Sequence, residues 1–119
     1  MPDSPVIWPP SGQVYLAVGA TDMRKSINGL SIIVEQSLGR SPFTGDLFAF
    51  CNRQRTIIKI LYWDQNGFAL WQKRLEQQRF TWPQTGKDAL AIDGDQLRWL
   101  LSGLDITSAH RPLSYSAVA

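Results

Sequence analysis

Nucleophilic chemistry in this chain would have to run through Cys51 and His110, because each is the only residue of its kind. Cys51 closes the apolar run DLFAFC and reads as a small packed hydrophobe, while His110 lies in a stretch of Ser, Ala and Pro. Neither setting is that of an activated Cys-His pair. The same scarcity excludes an internal disulfide and a zinc centre built from several Cys and His ligands. Phosphoryl transfer by two metals needs three or more converging carboxylates, whereas Asp22, Asp46, Asp64, Asp93 and Asp95 fall mainly at expected turns and helix caps. The carboxylates of Asp93-Gly94-Asp95 could hold a cation, but a helix cap is the favoured reading. Glycines flank a helix start in GATDMRKSING, yet the Gly-Lys-Ser/Thr ending of a nucleotide-binding loop is missing. No catalytic residue, metal site or cofactor is expected.

Positive charge is the remaining chemistry. Between Arg53 and Trp82 there are six basic residues against two acidic ones, while the rest of the chain carries six basic and eight acidic residues. A basic middle in an otherwise acidic chain suits contact with a polyanion, although Lys and Arg also decorate ordinary solvated sheet faces.

The elements that must position these groups are few. The chain has 119 residues, enough for one domain with a modest core. It has no apolar run near the roughly 18 residues that cross a bilayer, and its N-terminus shows no export signal, so a soluble cytoplasmic protein is expected. Residues 1–12 hold four prolines and read as an extended arm; residues 13–105 read as the domain; residues 106–119 read as a loosely ordered tail. QVYLAV reads as a strand. Met23, Ile27, Leu30, Val34 and Leu38 form a helical stripe that Thr21 or Asp22 can cap and Gly39 can end. GDLFAFC is a second strand, and TIIKILYW and FALWQKRL are a third and fourth joined through DQNG. Asp93 with Gln96 three residues on opens a short helix carrying Leu97, Leu100 and Leu101, ended by Gly103.

In the hairpin Ile57 to Leu75, Trp63 faces either Leu70 or Phe68, depending on the turn length. Both registers put Ile57, Lys59, Leu61, Trp63, Phe68, Leu70, Gln72 and Arg74 on one face and Ile58, Ile60, Tyr62, Ala69, Trp71 and Lys73 on the other. Neither face is cleanly polar, so either both are covered or one meets a partner. The expected fold is a small single α+β domain, an antiparallel sheet of about four strands with two principal helices and this hairpin at its centre.

TDMRKSINGL, PFTGDLFAF, NRQRTIIKILYWDQNGFALWQKRLEQQRFTWP and DGDQLRWLLSGLD, in this order, resemble the signature blocks of the TnpB-type accessory proteins of the insertion-sequence-sixty-six (IS66) transposable elements. The likeness runs from Ser11 to about Asp105; Ser26 stands where relatives have Gly, and the tail after Asp105 is longer than the family's ending. The resemblance implies a non-catalytic protein encoded beside a larger transposase and needed for efficient movement of the element. Two uses of the basic residues follow. In the first, Arg24, Lys25, Arg53, Arg55, Lys59, Lys73, Arg74 and Arg79 contact transposon DNA phosphates, with Trp71 or Trp82 stacking on a base or packing beneath them. In the second, the aromatic sheet face docks on the transposase without touching DNA. Arg24 and Lys25 are expected in the first helical turn, where an incoming phosphate would relieve their conflict with the helix dipole unless Asp22 already balances them.

Overall fold

The computed structural model describes residues 13–103, so the expectations for the N-terminal arm and the C-terminal tail lie outside the described residues. Five strands, β1 (Val14–Ala17), β2 (Leu47–Cys51), β3 (Ile57–Asp64), β4 (Gly67–Arg74) and β5 (Ala89–Ile92), form one sheet in the order β4-β3-β2-β1-β5. Two helices, α1 (Ile27–Gln36) and α2 (Gly94–Leu101), complete it. None of the described helices is long and apolar enough to cross a membrane.

The sheet is mixed rather than antiparallel. β1 and β2 are joined through α1, and a strand returning after a crossover helix runs parallel to the one before it, as Val14 beside Leu47 and Leu16 beside Ala49 show. The fifth strand, Ala89–Ile92, was not expected from the sequence; it pairs antiparallel with β1. The centre is β2, not the hairpin. All five of its residues are buried, which is why LFAFC is continuously apolar. Phe48 and Phe50 point to one face, where Leu30 and Val34 of α1 meet them. Leu47, Ala49 and Cys51 point to the other, against Leu97 and Leu100 of α2 and against Phe80 and Trp82.

The hairpin forms as the periodicity implies, and both of its faces pack against the core, with the β4 side chains only partly buried. Trp63 lies opposite Phe68, and Asp64 pairs with Gly67 around Gln65 and Asn66. Gln65 takes the left-handed backbone (φ 60°), so the turn sits one residue earlier than an Asn-Gly turn would.

Helix α2 starts as expected. Gln96 N–H donates to Asp93 Oδ1 at 2.8 Å, and Asp93 N–H donates to Gln96 Oε1 at 3.0 Å. Helix α1 starts later than its apolar stripe implies, at Ile27 rather than near Met23, with Ser26 as an N-cap that makes no side-chain bond. Asp22 is the reason. Its Oδ1 accepts the Arg24 N–H at 2.9 Å and its carbonyl accepts the Lys25 N–H at 3.2 Å, which holds a turn where the helix would have begun. Gly39 (φ 66°) ends α1, and the Arg40 N–H returns to the Val34 carbonyl.

Candidate nucleic-acid interface

One end of the sheet is assembled on the turn Asn52 to Thr56. Asn52 shapes it: its Oδ1 accepts the N–H groups of Thr56 and Ile57 at 2.8 and 3.0 Å, and its Nδ2 donates to Thr56 Oγ1 at 3.0 Å. Arg55 consequently adopts a left-handed backbone (φ 63°). Two other segments are tied to this turn. Thr21 N–H donates to the Cys51 carbonyl at 2.8 Å, bringing in the residues before α1. Leu75 N–H donates to Thr56 O and Phe80 N–H to Arg55 O, at 2.8 and 2.7 Å, bringing in the chain after β4. Arg24, Lys25, Arg53, Arg55, Arg74 and Arg79, far apart in sequence, thereby gather at one end.

An open groove of about 590 Å³ lies between the first two segments, lined by Thr21, Asp22, Arg24, Asn52, Arg53 and Gln54 among others. Within it Arg24 grips Asp22 as a fork, with Nε 3.1 Å from both carboxylate oxygens and Nη2 2.7 Å from Oδ2. The hydrogen bond from the Arg24 side chain holds the Asp22 carboxyl down to about 2, and Asp22 in turn raises the Arg24 guanidinium. Both groups remain solvent-facing. Arg74 pairs with Glu76 at 3.1 Å on the surface. Lys25, Arg53, Arg55 and Arg79 make no ion pair among the described residues, and all but the half-buried Arg55 are exposed.

Four of the ten residues singled out from the sequence are used inside the fold. Lys59 Nζ donates to the Met23 and Lys25 carbonyls at 2.8 and 3.0 Å, tying the pre-helix turn to the sheet. Lys73 Nζ donates to the Leu101 carbonyl at 2.8 Å, a cation at the C-terminus of α2. Trp82 is 4% exposed, and its indole N–H donates to the Ala17 carbonyl at 3.0 Å, so it belongs to the core. Trp71 is half-buried against that same core. Arg24 and Lys25 stand before α1 rather than in its first turn, so the argument from the helix dipole does not apply to them. Burial pushes the Cys51 thiol up to about 12, as expected of a packed hydrophobe. Sequence reasoning reads Asn52 to Arg55 as a polar turn but gives Asn52 no part in shaping it, although an Asn that opens such a turn before a strand is a recognisable signal.

The opposite end of the sheet has another character. Asp46, Asp64, Asp93 and Asp95 lie there, against Arg40 and Arg98. Arg98 pairs with Asp95, and Arg40 stacks over the Tyr15 ring at 3.9 Å. Phe43, Trp63 and Phe68 make a ring cluster with centroids 5.0 to 5.4 Å apart, and Phe43 is 54% exposed. Among the described residues no group of three or more His, Cys, Asp or Glu side chains comes together as a metal site would require.

Residues 12–111 match the family described as IS66 Orf2-like protein. The chain is 41% identical over 99 residues to the uncharacterised protein y4hO of Sinorhizobium fredii, covering 81% of this chain and 86% of the relative. It is 32% identical over 99 residues to the uncharacterised protein y4jC of the same organism, covering 83% and 85%. No solved structure matches the chain.

Proposed function

From the premise that this chain belongs to the IS66 Orf2-like family, we propose that it is a non-catalytic accessory protein of DNA transposition that holds transposon DNA against the basic end of its sheet. The observation that carries this reading is the convergence of three segments on the Asn52 to Thr56 turn, which brings Lys25, Arg53, Arg55 and Arg79 to one end without ion pairs among the described residues. Cations already matched by carboxylates, such as Arg24 and Arg74, release less free energy on meeting a phosphate than unmatched ones do. The open groove of about 590 Å³ beside Arg53 also has Gln54 and Thr21 in its lining, which add neutral donors that suit phosphate oxygens. Contacts of this kind read the backbone rather than the bases, so affinity is expected to fall steeply with salt.

A second reading, docking on the transposase of the same element without DNA contact, draws support from the exposed Phe43 beside Trp63 and Phe68. The test is binding of the pure chain to duplexes carrying the element's ends, across salt and with and without transposase. Salt-sensitive binding that weakens when Arg53 and Arg55 become Ala supports the DNA reading. Co-elution with transposase that ignores salt, with no DNA bound, overturns it in favour of docking. A folded double variant that supports transposition at wild-type frequency reduces the basic end to a solvated surface.

A further inference from the structure

β4 ends the sheet, and among the described residues no strand pairs with its outer edge. The Leu75 N–H bonds to Thr56 O, so by the antiparallel alternation odd-numbered residues of β4 exchange bonds with β3. Phe68, Leu70, Gln72 and Arg74 therefore turn their N–H and C=O groups outward. Their side chains share the α1 face, where Phe68 and Leu70 are only partly buried and Phe43 continues the apolar surface. An eight-residue edge that is apolar over its first half is a site for strand addition.

We propose that this edge pairs antiparallel with the same edge of a second copy, giving a two-fold dimer with a continuous ten-stranded sheet. Charge selects the second copy as the occupant. The basic end carries nine basic residues, Lys87 among them, against Asp22, Glu76 and Asp88, while the other end carries Asp46, Asp64, Asp93 and Asp95 against Arg40 and Arg98. Antiparallel pairing sets each basic end beside the partner copy's acidic end, and like ends never meet. With Leu70 on the two-fold axis, Phe68 faces Gln72 of the other copy, and Arg74 faces Asn66 close to that copy's Asp64. The interface is isologous and closes on itself. It leaves the two basic ends pointing in opposite directions, so dimerisation and the DNA contact proposed above do not compete.

Sedimentation equilibrium of the full chain tests this. The expected species has twice the 13.4 kDa chain mass, and its dissociation constant rises between 0.05 and 0.5 M salt, on the order of the Debye screening change. Gln72→Pro removes an outward N–H at an exposed position and should raise the dissociation constant by about tenfold or more. Leu70→Lys, which places two cations at the axis, should do the same and decides the matter if the proline variant does not fold. A wild-type monomer at about 100 μM, or a folded variant that dimerises as wild type, overturns the proposal.

Discussion

The two ends of the sheet are made from the same strands and hold opposite charge, and they differ in what their charges are used for. At the acidic end Asp93 caps α2, and Asp46 Oδ1 accepts the Gln13 N–H at 2.8 Å while its other oxygen accepts the Thr44 hydroxyl at 2.7 Å. There the carboxylates close turns. At the basic end only part of the charge is structural: Lys59 and Lys73 satisfy carbonyls, Arg24 and Arg74 meet carboxylates, and Lys25, Arg53, Arg55 and Arg79 have neither use among the described residues. Crowded surface charge of one sign repels itself, and a polyanion removes that repulsion. The comparison therefore separates cations that build the basic end from cations that it presents.

The largest test of that separation is to remove what holds the third segment in place. Trp82→Ala deletes a core indole and leaves the Ala17 carbonyl without its donor, so unfolding free energy should drop by about 3–5 kcal/mol, measured by urea denaturation. A loss below about 1 kcal/mol would mean that the segment after β4 is not anchored through Trp82. Next in size are the structural lysines. Lys73→Met keeps the stem and loses the bond to Leu101 O, with an expected cost of about 1.5 kcal/mol and little change in DNA affinity. Arg53→Ala with Arg55→Ala should behave in the opposite way. Each site should change stability by about 0.5 kcal/mol or less, while the slope of log affinity against log salt falls by about 2. If the lysine variant lost DNA affinity and the arginine pair did not, the division between building and presenting would fail.

The smallest expected effect concerns pH. The Asp22 carboxyl is held at about 2 against an ordinary 3.8, so its link to Arg24 is fully present above the ordinary value and is lost as pH falls from there through about 2. Carboxyl-carbon NMR should place the Asp22 midpoint near the lower value, and Arg24→Ala should move it up toward the ordinary one. An unshifted midpoint in the wild type would show that the fork on Asp22 does not persist in solution.

Much of this architecture was legible because local rules sufficed. The Asp93-Gln96 capping box, the period-two faces of the hairpin and the run LFAFC each declare an element through spacing of a few residues, and the structure follows them. The start of α1 was not legible from the apolar stripe, because a stripe reports which face is buried and Met23 is packed there whether or not it is helical. Asp22 overrode the stripe by accepting the N–H groups of the residues two and three places on, Arg24 and Lys25.

The sequence by itself determined the apolar faces, the cap of α2, the absence of a multi-ligand Cys/His centre and a middle segment rich in cations, since all of these rest on residue type and near neighbours. Only the tertiary structure decided which cations are available. Lys59 and Lys73 resemble Arg53 and Arg55 in sequence, and they differ because the carbonyls of Met23, Lys25 and Leu101 arrive beside the lysines from 28 to 36 residues away. A carbonyl with no remaining partner in its own turn or helix end takes the nearest donor, and which donor is nearest is set by the packing of α1 and α2 on the sheet.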